Sequence, residues 1–126
     1  MTAEDAAEAA MVDKAALLDR FEGDLELIGD IARLFLGTCP RRLSAIREAI
    51  ALSDRQVLQA AAHSLRGSAS NFGAAAVVAA ALRLEVIGRT GDLSDAVEAC
   101  SVLERAIACL QPELVALCNA VPKEVR

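Results

Sequence analysis

Apolar residues recurring every three or four positions, in several separate stretches, leave this chain few folds to choose from. Leu27, Ile28, Ile31, Leu34, Phe35, Leu43, Ile46 and Ile50 form one stripe, and Val97, Cys100, Leu103, Ile107, Leu110, Leu114 and Leu117 form another. That spacing places the side chains on one face of an α-helix. The period-two alternation of a half-buried strand is absent, and no segment repeats.

Two further helices are expected between these stripes. Ser53, with Gln56 three residues on, has the form of a capping box opening a helix over about residues 54–71. Ser70, Asn71, Phe72 and Gly73 should end it, because Asn and Gly tolerate the left-handed conformation, and the short gap returns the next helix antiparallel. Residues 74–89 are nearly all apolar, interrupted by Arg83, Glu85 and Arg89, as suits a helix enclosed by neighbours; Glu85 and Arg89 stand at i, i+4 in the favourable order for a surface ion pair. A loop over residues 91–94 follows, with Asp92 or Ser94 capping the last helix. Pro40, near Gly37, predicts a kink or local break in the first long helix, and Pro112 a bend in the last. Asp13 caps a short helix over residues 14–21 whose Leu17, Leu18 and Phe21 form one apolar edge.

These elements predict an all-α fold, an antiparallel up-down four-helix bundle with a short extra N-terminal helix laid across one end. A length of 126 residues fits a single domain over 1–126, with a loose segment at 1–11 and a polar tail at 120–126.

Composition removes several functions. The 18 acidic residues outnumber the 13 basic ones, giving a net charge of −5, and Trp and Tyr are absent, so the chain offers neither a basic field nor a stacking platform for nucleic acid. The acidic start is unlike a secretory signal, and no apolar run reaches the ~20 residues of a membrane span, so a soluble cytoplasmic protein is expected. Cys39, Cys100, Cys109 and Cys118 show no C-x-x-C pairing, and one histidine cannot complete a usual zinc set with them. They read as small reduced fillers or bystanders, with no metal or cofactor bound by this chain.

That one histidine, His63, is the candidate reactive group. At about 100° per residue, Leu58, Ala61, Leu65, Ser68, Ala69 and Phe72 lie opposite it, whereas Gln56, Gln59, Ala60, Arg66, Gly67 and Ser70 lie within roughly 60°. His63 therefore faces water from the centre of a polar stripe. Gly67, mid-helix, costs about 1 kcal/mol relative to alanine, and on an outward face its absent side chain keeps the imidazole approachable. Arg66 can swing a guanidinium over the ring and donate to an anion bound there. On a solvated face Arg66 should serve rate rather than stability.

His63-Ser64-Leu65-Arg66-Gly67-Ser68, followed by Gly73-Ala74 and Leu84-Glu85, resembles the signature of histidine-containing phosphotransfer domains: His-x-Leu-Lys-Gly-Ser, then Gly-Ala, then Leu-Glu in the next helix. The resemblance runs from about residue 21 to residue 117 and departs from the family in placing Arg66 where lysine is usual. It implies a phosphoryl group relayed through His63 between aspartates of response-regulator receiver domains, with a hybrid sensor histidine kinase as a further possible partner. It also implies magnesium supplied by the receiver rather than by this chain, and a phosphate-facing position for Arg89. Ser70 and Gln59 are secondary candidates beside the ring. Docking is expected over the His63 stripe, with an apolar patch contributed by neighbouring helices, on a monomer. The chain lacks a glycine-rich phosphate loop and the nucleotide pocket of histidine kinases, so it reads as a carrier and not as an ATP-dependent enzyme. Two other classes compete: a bundle that binds a receiver or another partner without exchanging phosphate, and a metal-dependent or hydrolytic enzyme. The latter lacks a second histidine, and the outward face of the histidine helix carries no carboxylate close to His63.

Overall fold

The computed structural model describes residues 12–120. Five helices follow in order: α1 (Lys14–Arg20), α2 (Leu25–Ala51), α3 (Arg55–Ser70), α4 (Ala75–Thr90) and α5 (Ala96–Asn119). No strand occurs among the described residues. Helices α2 to α5 form an antiparallel up-down bundle in which α2 packs on α3, α3 on α4, α4 on α5, and α5 closes the ring against α2. The loose segment at 1–11 and the tail beyond residue 120 lie outside the described residues.

The apolar stripes meet at the centre. Ile28, Ile46, Leu58, Leu65, Phe72, Leu84, Leu103, Ile107, Leu110 and Leu114 are buried almost completely, each contributing about 1.5–3 kcal/mol by leaving water. Phe35 and Phe72 cross edge to face with centroids 5.8 Å apart, tying the middle of α2 to the end of α3. Alanines at 62, 69, 81, 96 and 99 are also buried. Their small side chains let the helices approach closely.

Several boundaries differ from the sequence expectation. Asp54, not Ser53, caps α3: its carboxylate accepts from the Val57 amide at 3.2 Å. Ser53 instead takes the turn itself, at φ 55, a left-handed position in which its hydroxyl cannot serve as the cap. Asn71 stays right-handed, and Gly73 carries the reversal, at φ 65. The cap of α5 is Asp95, while Asp92 accepts from the amide and hydroxyl of Ser94 at 3.1 and 2.8 Å. Helix α2 runs unbroken through Pro40, and α5 through Pro112. Proline removes one hydrogen bond, but buried Phe35 and Cys39 before it and Ile46 and Ala49 after it hold both halves of α2 against the same core.

Helix α1 sits where the sequence placed it, across one end. Val12 and Leu17 are buried, the Asp13 amide donates to the Phe72 carbonyl at 3.0 Å, and Arg20 Nη1 donates to the Ser70 carbonyl and Asn71 Oδ1 at 3.5 and 3.4 Å. These bonds tie α1 to the last residue of α3 and to the turn that follows it. They pin the end of the helix that carries His63. None of the described helices is long and apolar enough to cross a membrane.

Candidate functional site

Helix α3 turns Leu58, Ala62, Leu65 and Ala69 inward, so His63 emerges on the opposite side, its side chain 65% exposed. Gly67 follows one turn later on the same face, and a Cβ added there would meet no atom within 4 Å. Both features agree with the helical projection of the sequence.

The neighbouring helix supplies what the projection of α3 alone could not. Glu85, from α4, is nearly buried, its side chain 10% exposed, and its carboxylate lies against both polar residues of the α3 face. Oε1 stands 2.9 Å from His63 Nδ1. Arg66 donates to the same group through Nε to Oε2 at 2.7 Å and Nη2 to Oε1 at 3.3 Å. The expected Glu85–Arg89 surface pair is therefore absent, because Glu85 turns inward to α3. Helix α3 itself carries no carboxylate beside His63, and the one that reaches the ring comes from α4.

This arrangement sets the imidazole tautomer. The Arg66 hydrogen bonds, foremost, hold the Glu85 carboxyl below the usual carboxylate range against the opposing effect of burial, and the bond to His63 adds to this. An ionised carboxylate can only accept, so Nδ1 carries the proton and donates it to Oε1. Arg66 Nη2 also stands 3.2 Å from Nδ1, but a protonated Nδ1 has no lone pair to receive it. That approach is a close contact and not a hydrogen bond. In the neutral ring Nε2 is then the nitrogen with the in-plane lone pair, the arrangement of an oriented nucleophile.

Arg66 is also more than a solvated charge. Its side chain is 32% exposed, and the bonds to Glu85 raise its already high pKa. Removing it would leave a nearly buried carboxylate without its main partner, so a structural contribution joins the expected electrostatic one.

The secondary candidates divide. Ser70 donates its hydroxyl to the Gly67 carbonyl at 2.7 Å, which engages it with its own helix. Gln59 lies at the α3–α4 contact, where a Cβ on Gly88 would come within 2.9 Å of its backbone nitrogen and 3.1 Å of its Cβ. Arg89 is exposed and makes no hydrogen bond or ion pair among the described residues. Among the described residues no group of three or more His, Cys, Asp or Glu side chains could hold a metal ion. The cysteines are free: Cys39 and Cys100 are buried, Cys118 is partly buried and Cys109 is exposed.

Glu85 is the site residue that the helical projection of α3 does not reveal. A lone carboxylate within an almost wholly apolar helix must find charged partners to be buried at all, and that signal was present in the sequence.

Comparison with known proteins points the same way as this geometry. Among curated proteins none matches the sequence significantly. The crystal structure of histidine-containing phosphotransfer protein B (HptB) from Pseudomonas aeruginosa PAO1 superposes with a TM-score of 0.81 at 24% sequence identity, covering 88% of this chain and 96% of that one. This is a likeness of fold. The family model of the Hpt domain matches residues 30–119, which take in all of α3, α4 and α5 and most of α2. The chain therefore belongs to the Hpt domain family.

Proposed function

We propose that this protein is a phosphoryl carrier that relays a phosphoryl group between aspartates of receiver domains, with His63 Nε2 as the atom that takes and returns it. The observation that carries this reading is the exposed imidazole whose Nδ1–H is held by a nearly buried carboxylate. In the forward step the Nε2 lone pair attacks phosphorus of an aspartyl phosphate. The Nε2–P bond forms as the P–O bond to the aspartate breaks, and the aspartate leaves as a carboxylate. No proton need move. The ring becomes a phosphoimidazolium, and Glu85 stabilises the cation through Nδ1–H. Holding that proton also keeps the ring a good leaving group for the return step, because the group that departs is then neutral imidazole rather than the imidazolide anion.

Arg66 keeps Nε and Nη2 on Glu85 while Nη1 remains free to meet an equatorial phosphoryl oxygen, a division of labour that a forked guanidinium permits and a lysine does not. Gly67 leaves room for the loops around the partner's aspartate, since little else than positioning and charge is required in phosphoryl transfer. Family resemblance assigns magnesium to the receiver. Donor and acceptor receivers, a hybrid sensor kinase among them, belong to this proposal together with action as a monomer in the cytoplasm. The chain's own part is that of a carrier and not of a kinase.

The test is to incubate the protein with a phosphorylated receiver and follow an acid-labile, alkali-stable label. Wild type should carry it and His63→Gln should not. Label persisting in His63→Gln refutes the assignment, and stable binding without any label would instead make the bundle a non-covalent interaction module.

A further inference from the structure

One turn away from the reactive ring, α4 lies directly against the backbone of α3. Gly88 of α4 is buried. A Cβ there would stand 2.9 Å from the Gln59 nitrogen, 3.0 Å from the Arg55 carbonyl oxygen and 3.1 Å from Gln59 Cβ. Gly37 and Gly67, also within helices, would meet nothing within 4 Å, and a Cβ on Gly29 would find its nearest neighbour at 3.4 Å, an ordinary contact. Of these helical glycines, only Gly88 occupies a place that no side chain could fill as the helices stand.

The close approach and the site are neighbours along the seam. Glu85 precedes Gly88 by three residues and His63 follows Gln59 by four, and in antiparallel helices both steps run the same way, over about 4.5–6 Å. At about 100° per residue Glu85 lies roughly 60° from Gly88, turned like it toward α3. Both carboxylate oxygens are engaged there, Oε1 at 2.9 Å from His63 Nδ1 and Oε2 at 2.7 Å from Arg66 Nε. The two partners differ in reach. Arg66, on a long side chain, can follow a carboxylate that retreats with α4, whereas the imidazole is joined to α3 through a single methylene and cannot.

We infer that Gly88 is a positioning residue for phosphoryl transfer: the approach it permits sets the distance from Glu85 Oε1 to His63 Nδ1, and through that bond the nitrogen that keeps the proton. The inference rests on the carrier reading above. A side-chain carbon at position 88 needs about 3.5–4.0 Å from its neighbours, so α4 would have to retreat from α3 by roughly 0.5–1 Å. Hydrogen bonds from nitrogen to oxygen fade beyond about 3.2 Å, and a retreat of that size is enough to release Nδ1–H. The ring then exchanges its proton through solvent and samples the tautomer protonated at Nε2, which has no in-plane lone pair at the atom that must attack phosphorus.

The test uses the whole protein and reads the ring directly, because His63 is its only histidine and the ring nitrogens can be followed by 15N NMR without assignment. Wild type should show the tautomer protonated at Nδ1. Gly88→Ala should show a mixture with the Nε2–H form, and its single-turnover transfer from whichever phosphorylated receiver of a panel labels wild type fastest should slow about tenfold, the scale of a sub-ångström misplacement. Leu114→Val, a core truncation near the C-terminal end of α5 and so toward the other end of the bundle, should lower Tm yet keep the wild-type tautomer and rate, which separates positioning from lost stability. Glu85→Asp draws the carboxylate back by one methylene with the helix spacing intact, and should reproduce both signatures of Gly88→Ala. In a Glu85→Gln background Gly88→Ala should change the rate by less than about twofold, since the group it acts through is already gone. Wild-type tautomer and rate in a folded Gly88→Ala protein overturn the inference and leave the carrier reading standing. Should Gly88→Ala not fold, the same result in Glu85→Asp overturns it, because the distance would then not matter. A wild type that neither the receivers nor phosphoramidate can label overturns the carrier reading, and this inference with it.

Discussion

Replacing Gly67 with alanine should make the protein more stable and a poorer phosphoryl carrier. Mid-helix glycine is about 0.8–1 kcal/mol less favourable than alanine. At Gly67 nothing offsets that gain, because the new Cβ would meet no atom within 4 Å. Gly67→Ala should thus add roughly 1 kcal/mol, a rise of about 3–5 °C in Tm for a domain of this size. Gly88, on the facing helix, supplies the opposite case. Its Cβ would stand 2.9 Å from the Gln59 nitrogen and 3.0 Å from the Arg55 carbonyl, both backbone atoms that cannot step aside unless α3 and α4 move apart. Overpacking of this kind costs about 1–3 kcal/mol, so Gly88→Ala should lower Tm despite its better helix propensity. Urea and thermal unfolding of the two variants beside wild type measure both signs. Single-turnover transfer measures the functional side: Gly67→Ala should be slowed and Gly67→Gln blocked, with the fold intact by circular dichroism. A Gly67→Ala protein that melts below wild type would show the site to be crowded. A well-folded Gly67→Gln protein that transfers normally would refute close docking over this residue.

Arg66→Ala should slow transfer about 10- to 100-fold through loss of a charge-assisted contact to the phosphoryl group, and should also melt below wild type because Glu85 loses its main partner; single-turnover rates and thermal melts read the two effects, and a wild-type rate in a destabilised variant would make Arg66 structural only. Arg66→Lys should recover part of the rate. The Glu85 carboxyl is held below its ordinary range chiefly by Arg66, so its stabilising contribution is complete above the unfolded value, about pH 4.3, and disappears as pH falls through the lower folded value. Glu85→Gln should accordingly be less stable than wild type at pH 7, with the gap closing below about pH 4; a gap that stays constant with pH would show that ionisation of Glu85 is not its source. Asp54→Ala should cost about 1 kcal/mol as the loss of an N-cap, whereas Ser53→Gly should stabilise by about 1 kcal/mol through relief of a left-handed residue, and equilibrium unfolding that ranks them the other way would return the cap to Ser53.

Which parts of this protein were local in sequence, and which were not, follows from the reach of each interaction. The helices, their order and the outward face of His63 were legible because a period near 3.6 relates residues only three or four apart, and the apolar side must then be the buried one. The openness beside Gly67 followed from the same projection. Turn details were less legible, since Ser53 and Asp54 are both good capping residues and only backbone conformation decides between them. The chemistry of the site was least legible. Glu85 stands 22 residues from His63 and 19 from Arg66, and within its own helix Arg89 was an equally reasonable partner. What removed that choice was the packing of α4 on α3, which turns Glu85 out of solvent: a carboxylate so placed needs the nearest charged donors, and those belong to the other helix. Likewise, Arg42 meets Ser68 across 26 residues only because α2 and α3 run antiparallel at that distance. Local periodicity was enough to stand an accessible imidazole on a helical bundle. The tertiary structure alone decided which of its nitrogens keeps the proton, because that depends on a side chain from another helix.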